Sequence, residues 1–230
     1  MTGGGRIPKP GEITLSHHGV LFLDELPEFP RQVLETLRQP LEDGEITIAR
    51  ASASIRYPAK FMLIAAMNPC PCGYLYDSQR ECTCTPQDIR RYIKKISGPL
   101  LDRIDIYVFV ERLEYQDLVT KRVAEPSKTI RERVEAARLR QLRRLEPYNL
   151  TCNAEMNHKQ LTTLCKLTPA AQQLLQNAFN KLNLSARGYD RIIKVAQTIA
   201  DLAGAEAIDA QHIAEAIQFR NNLRELPNYG

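Results

Sequence analysis

Two adjacent carboxylates, Asp24 and Glu25, come directly after the apolar run of residues 19–23. An unbroken apolar run predicts a strand buried on both faces, as in the centre of a parallel sheet. In such sheets, ligands bind beyond the carboxyl ends of the strands. Two acids there suit a nucleotide site, in which Asp24 holds Mg²⁺ and Glu25 polarises a water molecule. A strand that runs into an acidic turn is the alternative, because short strings of this kind recur by chance.

A second apolar run, residues 61–67, ends at Asn68. A neutral amide at the same sheet edge can hydrogen-bond a γ-phosphate or an attacking water without adding negative charge. The alternative is an asparagine in a turn before Pro69. The two runs taken together favour the nucleotide site.

Three arginines are candidates for contacts with phosphate. Arg103 can reach a phosphate across a subunit boundary, or it can form an ion pair with a neighbouring aspartate. Arg187 and Arg191 open an amphipathic helix and can sense the nucleotide from there. The alternative for these two is an exposed helix N-terminus, where an arginine gains nothing from the helix dipole.

Four cysteines, Cys70, Cys72, Cys82 and Cys84, follow the pattern C-x-C-x₉-C-x-C. Cytosolic proteins rarely keep disulfides, so thiolates this close together predict a tetrahedral Zn²⁺ site that fixes the loop. The spacing is tighter than the usual C-x₂-C pairs, which leaves reduced structural cysteines or a redox pair as alternatives.

The composition is that of an ordinary globular protein, with 230 residues, 43% hydrophobic and 25% charged, and a mild net charge of +4. No stretch approaches the roughly 20 apolar residues that a membrane helix needs. The N-terminus lacks the apolar core of a signal peptide. These features predict a soluble cytoplasmic protein.

Periodicity predicts an α/β portion followed by a helical portion. In the first portion we expect an extended piece at 12–15, strands at 19–24, 61–67 and 103–110, helices at 31–41 and 86–96, and a hairpin with arms at 44–50 and 54–57. In the second we expect helices near 127–145, 157–164, 169–182, 188–204 and 209–220. The predicted domains are therefore 1–112 and 127–230, joined by a linker at 113–126.

The order of these pieces resembles the AAA+ ATPases of the magnesium-chelatase-like YifB/ComM family. The strings that carry the resemblance lie at 10–26, 65–73, 97–105 and 185–191, and it extends over nearly the whole chain. It implies a partial P-loop NTPase parallel sheet with hairpin insertions, followed by an α-helical lid. By the same resemblance Asp24 and Glu25 are the Walker B pair, Asn68 is sensor 1, and Arg103 is the arginine finger. Arg187 is sensor 2, and Arg191 ranks below it.

The resemblance also implies a DNA-handling motor. Residues 11–18 would belong to an insertion and residues 45–58 to a hairpin, both of which point into the pore of related ring helicases. Arg50 and Arg56 are then candidate contacts to DNA phosphates. Surface arginines on an ordinary hairpin are the alternative.

The sequence contains no Gly-x-x-x-x-Gly-Lys-[Ser/Thr] string, whose backbone N–H groups would cradle the phosphates. We therefore expect a fragment that is inactive alone, from a parent that forms an ATP- and Mg²⁺-dependent ring, a hexamer, and translocates DNA or drives branch migration. A chelatase-type or protein-remodelling motor is one alternative. A non-enzymatic zinc- or nucleic-acid-binding fragment is the other.

Overall fold

The computed structural model describes residues 1–4, 9–50, 53–110, 112–113, 115, 119 and 124–221. These residues form two compact units, of which the first ends at Ile104 and the second begins at Asp105. The predicted boundaries at 112 and 127 lie further along the chain, and most of the predicted linker falls outside the described residues. Each unit is described by itself.

The first unit contains short strands and helices. Its strands are β1 (Gly3–Gly4), β2 (Lys9–Pro10), β3 (Val20–Leu23), β4 (Glu45–Arg50), β5 (Ala53–Pro58) and β6 (Met62–Ala65). Its α-helices are α1 (Glu12–Leu15), α2 (Arg31–Glu35), α3 (Arg38–Asp43), α4 (Pro86–Ile93) and α5 (Gly98–Leu101). A 3₁₀ turn at Leu26–Glu28 follows β3.

Strands β3 and β6 are parallel, with a register that runs from Val20 opposite Met62 to Leu23 opposite Ala65. This confirms the parallel pairing that the two apolar runs predict. Burial on both faces was wrong for the described residues, because side chains alternate along a strand and only the face carrying Leu21 and Leu23 is covered. The exposed side chains of the pair include Val20, Phe22, Met62 and Ile64.

The predicted hairpin is confirmed. Strands β4 and β5 pair antiparallel from Glu45 opposite Pro58 to Arg50 opposite Ala53, and residues 51–52 of the tip lie outside the described residues. Gly44 ends α3 in the left-handed region at φ 68°, which turns the chain into β4 at little steric cost.

Two local expectations before the hairpin were wrong. Residues 12–15 form α1 and are not extended, because this turn buries Ile13 completely and the Ser16 hydroxyl donates to the Glu12 carbonyl at 2.8 Å. The single helix expected at 31–41 is divided into α2 and α3. Pro40 has no N–H to donate to the carbonyl of Thr36, so one continuous helix loses a bond there.

The strand expected at 103–110 is also wrong, since none of these residues is in a strand. A strand needs a partner for its backbone groups. Here the Tyr107 N–H donates to the carbonyl of Phe219 at 3.0 Å, near the end of a helix of the second unit.

The second unit is helical, as expected. Its helices are α6 (Ser127–Leu145), α7 (His158–Leu164), α8 (Pro169–Lys181), α9 (Ala186–Ala203) and α10 (Ala210–Asn221). All five predicted helices are confirmed to within two residues at each end. Side-chain caps explain several starts: Asn157, Thr168 and Ser185 each accept a backbone N–H from the first turn of the next helix.

Apolar side chains from these helices form one core, which includes Leu145, Leu161, Leu175, Ile192 and Ile213. Next to it, the buried carboxylate of Asp201 accepts hydrogen bonds from Arg144, Asn153 and Gln197. Within the described ranges, no helix is both long enough and apolar enough to cross a bilayer.

Candidate functional site

The parallel pair brings Asp24, Glu25 and Asn68 to one edge of the sheet. The N–H of Ala66 donates to the Leu23 carbonyl at 2.9 Å, and the N–H of Leu26 donates to the Ala66 carbonyl at 3.0 Å. Asp24 and Glu25 lie between these two bonds, and Asn68 follows Ala66 by two residues. All three side chains are exposed. The edge therefore offers carboxylate and amide groups to a ligand from solvent.

The chain reverses sharply at Glu25. Its backbone is left-handed at φ 51°, and its N–H donates to Asp24 Oδ1 at 2.9 Å. A non-glycine residue in this region costs about 1–3 kcal/mol and tends to mark functional positions. The buried side chains of Leu26 and Pro27 hold the turn in place. The two acids thus occupy a fixed turn and not a frayed strand end.

This donor set fits Mg²⁺, which prefers oxygen ligands and is commonly held by one or two carboxylates together with substrate phosphates. Asn68 adds an amide that can donate to a phosphate oxygen or accept from a water. Chemically, the edge can bind a hydrated cation and polarise a water beside it.

Arg103, the predicted arginine finger, is held by groups of its own unit. Its Nη1 donates to the Pro99 carbonyl at 2.7 Å, its Nη2 contacts the carboxylate of Glu42, and the side chain is only 10% exposed. The sequence suggested a neighbouring aspartate as its partner. Glu42 lies far away in the chain, and no local pattern indicates it.

Arg187 and Arg191 differ in their surroundings within the second unit. Arg187 is exposed in the first turn of α9, where the Ser185 hydroxyl accepts the N–H of Gly188. Arg191 is 18% exposed, and its Nη1 lies 3.3 Å from Asp105 Oδ1. Arg187 is therefore the more accessible of the two.

The hairpin arginines lie on its two strands. Arg56 is paired with Thr47 in the register, its side chain is 74% exposed, and its Nη1 lies 3.4 Å from Glu45 Oε1. Arg50 is the last residue of β4, next to the tip. An ion pair this exposed is weak, so the Arg56 guanidinium can exchange its partner for a phosphate.

The four cysteines converge in the loop that follows β6. The Sγ atom of Cys70 lies 3.4 Å from that of Cys72 and 3.7 Å from that of Cys82, and the last two are 3.6 Å apart. The sulfur atoms of all four cysteines, including Cys84, lie within 4.8 Å of one another. Each of these cysteines is a free thiol, so this is a cluster of metal-ligand type and not a pair of disulfides.

The thiols of the cluster differ in pKa. A hydrogen bond from the Tyr74 backbone N–H, aided by that of Thr83, lowers the pKa of Cys72 to about 5. Burial raises the pKa of Cys84 to about 12. Cys72 is therefore the more acidic of these two thiols, and Cys84 holds its proton more tightly.

Sequence reasoning missed Tyr92, a buried residue of α4. Its hydroxyl accepts the backbone N–H of Asn68, and its pKa is raised by burial above all. The available signal was the spacing of Ile89, Tyr92 and Ile93, which marks the buried face of α4.

A basic cavity of about 460 Å³ was also missed. It is lined by Gln87 and by five cations, Arg31, Arg90, Arg91, Lys94 and Lys95. Four of the cations lie in α4 or directly after it, in a segment for which the sequence predicted a helix and no binding site. Such a concentration of positive charge attracts polyanions.

Two family models match the chain. The model described as "Magnesium chelatase, subunit ChlI" covers residues 1–118, and the model of its C-terminal region covers residues 124–220.

Several curated proteins match over nearly the whole chain. Competence protein ComM of Haemophilus influenzae is 48% identical over 227 residues, which is 98% of this chain and 43% of ComM. YifB of Escherichia coli is 43% identical over 96% of this chain and 42% of its own length. The magnesium-chelatase 38 kDa subunit of Chlorobaculum tepidum is 22% identical over 99% of this chain. The chain spans less than half the length of ComM and YifB.

Proposed function

We propose that this chain, which belongs to the magnesium chelatase ChlI family, is part of a ring-forming ATPase that moves DNA. Its first unit is a partial AAA+ core, and its second unit is the helical lid of that group. The proposed nucleotide is ATP with Mg²⁺, and the proposed assembly is a ring of copies, a hexamer, with ATP between subunits.

The single observation that carries the proposal is the shared edge of β3 and β6. Two carboxylates and one amide follow two parallel strands there, and the backbone bonds around Ala66 fix their spacing. Asp24 would hold Mg²⁺, and the bound ion would neutralise negative charge on the phosphates. Glu25 would accept a proton from the attacking water, and Asn68 would orient that water or the γ-phosphate.

The arginines complete the proposed site. Arg103 of a neighbouring subunit would stabilise charge on the transferred phosphoryl group, which requires it to leave Glu42. Arg187 would contact the nucleotide from the lid, with Arg191 as a secondary candidate. The exposure of Arg187 supports this order.

DNA is the proposed substrate of the motor. ComM is named a competence protein, whereas the more distant 38 kDa relative is named a magnesium-chelatase subunit. The greater similarity to ComM favours DNA over metal chelation. Arg50, next to the hairpin tip, and Arg56, on the opposite strand and paired with Thr47, would contact phosphates without reading sequence. A chelatase-type motor and a protein-remodelling motor are the competing proposals.

The chain alone should not turn over ATP, because its sequence contains no phosphate-binding P-loop. The test therefore compares the 230-residue chain with a chimaera in which it replaces the matching part of ComM. We expect ATP hydrolysis by the chimaera and none above buffer by the chain. Robust turnover by the chain alone would refute the need for a separate phosphate cradle.

Within the chimaera, Glu25→Gln should lower ATP turnover by about 10²-fold or more, as expected for loss of a general base. Glu28→Gln is the matched control, since it removes an exposed carboxylate from the same turn. Equal rates for Glu25→Gln and the unmodified chimaera would overturn the assignment of the carboxylates.

The DNA proposal has its own test. Single- or double-stranded DNA should stimulate the ATPase activity of the chimaera, and Arg50→Ala with Arg56→Ala should remove that stimulation. Arg38→Ala is the control, because this arginine of α3 lies outside the hairpin and pairs with Glu35 of α2. Stimulation by DNA that survives both hairpin changes counts against the pore-hairpin model. Absence of any stimulation favours a chelatase or protein-remodelling role.

We also propose Zn²⁺ as a structural ion at Cys70, Cys72, Cys82 and Cys84. Four free thiols whose sulfur atoms lie within 4.8 Å of one another fit a zinc site with four thiolate ligands. Thiols in this state belong to a reducing compartment, which supports a cytoplasmic protein.

Binding of nucleic acid by the chain itself is the second candidate function. The basic cavity beside α4 favours it, since five cations line one space. This activity would need neither ATP nor the P-loop.

A further inference from the structure

The four-cysteine loop and Asn68 are joined directly in the chain and in space. Asn68 precedes Cys70 by two residues, and Cys70 is completely buried. The Gly73 N–H closes a turn onto the Cys70 carbonyl at 3.0 Å. A Cβ atom at Gly73 would lie 3.9 Å from the Asn68 side-chain carbon, so Gly73 lies beside the asparagine.

The sulfur geometry suits zinc. A tetrahedral site with Zn–S bonds of about 2.3 Å places its sulfur atoms about 3.8 Å apart. The separations of 3.4, 3.6 and 3.7 Å between the sulfur atoms lie close to this value and far above the length of an S–S bond. A ligand set of four thiolates selects soft or borderline metals over Mg²⁺.

The loop is tied at its far end to a helix that holds Asn68 from the other side. Thr85, directly after Cys84, begins α4 with a capping box that includes Asp88. Seven residues further on, the buried Tyr92 accepts the backbone N–H of Asn68. A metal bound by the cysteines would therefore fix the loop that begins after Asn68 and ends at α4.

We propose that Zn²⁺ bound by Cys70, Cys72, Cys82 and Cys84 positions Asn68 at the carboxyl edge of β3 and β6. The metal closes the loop between β6 and α4, and Asn68 is held between Gly73 and Tyr92 as a result. Binding of Zn²⁺ displaces the protons of the thiols that are still protonated. The role of Asn68 in ATP hydrolysis rests on the proposed function, whereas the metal site and the position of Asn68 do not.

The first experiment measures metal in the whole chain, purified under reducing conditions without added metal. We expect about one equivalent of zinc, with less than half an equivalent in Cys72→Ser. Cys152→Ser, a half-buried cysteine of the second unit, is the matched control and should keep its zinc. Less than half an equivalent in the unmodified chain overturns the metal site.

The second experiment measures the mobility of the Asn68 backbone in the absence of ATP. Amide hydrogen exchange over residues 66–74 is compared before and after zinc is removed by a chelator, and again after Zn²⁺ or Cd²⁺ is restored. We expect exchange at Asn68 to rise by about tenfold or more on removal and to recover on restoration. Exchange of α9 in the second unit should not change.

The outcomes separate the claims. Zinc in the chain with unchanged exchange at Asn68 overturns the positioning role and leaves only a structural ion. Because Cys72→Ser could fail to fold, Co²⁺ is also exchanged into the unmodified chain, where thiolate-to-metal charge-transfer absorption is expected. Its absence contradicts a four-thiolate site. All readouts are independent of ATP hydrolysis, so their failure differs from failure of the proposed function.

Discussion

The guanidinium of Arg103 contacts the carboxylate of Glu42 within the same unit, and a second hydrogen bond ties it to the carbonyl of Pro99. Its side chain is 10% exposed, whereas that of Glu42 is 40% exposed. An arginine held in this way contributes to its own subunit. To act on a neighbour it must exchange Glu42 for a phosphate, which is a comparable bidentate partner.

Mixing two inactive variants tests this exchange. In the ATP-hydrolysing chimaera, Arg103→Ala should lower turnover by about 10³-fold or more while ATP binding persists. If Arg103 acts across the subunit boundary, mixing Arg103→Ala with Glu25→Gln should restore turnover, because some sites then combine an intact Glu25 with an intact Arg103. A mixture as inactive as its components would contradict action in trans.

Tyr92→Phe should loosen Asn68 without loss of zinc. The change removes the oxygen that accepts the Asn68 N–H and leaves the buried ring in place, at a cost of about 1 kcal/mol. Hydrogen exchange at Asn68 should rise, while the zinc content stays at that of the unmodified chain. Tyr148→Phe in the second unit is the control. Loss of zinc in Tyr92→Phe would show that the helix contact forms part of the metal site instead.

The sequence was sufficient to predict the structure where the pattern lies within a short segment of the chain. Apolar spacing and capping residues located the five helices of the second unit, and Thr168 before Pro169 is a clear example. The apolar runs before Asp24 and Asn68 predicted the parallel pair that joins them. The C-x-C spacing predicted the convergence of four sulfur atoms that the structure shows.

Two of the misses come from contacts between residues distant in sequence. Residues 103–110 have strand composition, but the Tyr107 N–H bonds to Phe219 and not to a strand. Glu42 as the partner of Arg103 has no local signal. Residues 12–15 fold into a turn of helix because that conformation buries Ile13. Pattern alone gave these segments the wrong partner or conformation.

Asp201 should be the most sensitive polar residue of the second unit. Its carboxylate is 1% exposed and lies 2.7 Å from Arg144 Nη2. Arg144→Leu leaves that charge buried without its cation and should lower the free energy of unfolding by about 3–5 kcal/mol. Urea titrations of the whole chain measure the change in the free energy of unfolding. Hydrogen exchange of α9 then shows whether the change lies in the second unit.

The matched comparison is a double variant, Arg144→Leu with Asp201→Leu, which should lose less stability than Arg144→Leu alone because no charge is left unpaired. Glu206→Gln, an exposed acid of the same unit, should stay within about 0.5 kcal/mol of the parent. Equal losses for the single and double variants would argue against a paired buried charge.

Asp209 should make the second unit sensitive to acid. Its carboxylate accepts the N–H of Ala210 and the hydroxyl of Thr168, each at 2.8 Å, and the backbone bond above all lowers its pKa. A lowered folded pKa means stabilisation that is present above the ordinary value of 3.8 and lost as the pH falls through the folded value. Asp209→Asn cannot titrate, so its Tm should fall less steeply than that of the parent below about pH 4. Parallel Tm profiles for the two proteins would contradict this contribution.

The basic cavity of the first unit should bind DNA by charge alone. Its cations include Arg90 and Lys94, both exposed on one side of α4. Each phosphate contact that is lost should reduce the slope of log K against log salt by about 1. We therefore expect Arg90→Ala with Lys94→Ala to weaken binding of a single-stranded oligonucleotide by the whole chain and to flatten its salt dependence by about 2. Lys128→Ala on α6 removes one positive charge from the second unit and should leave the slope unchanged. Because net charge alone can attract DNA, equal slopes for the cavity variant and the control would assign the binding to the general field of the protein and not to this cavity.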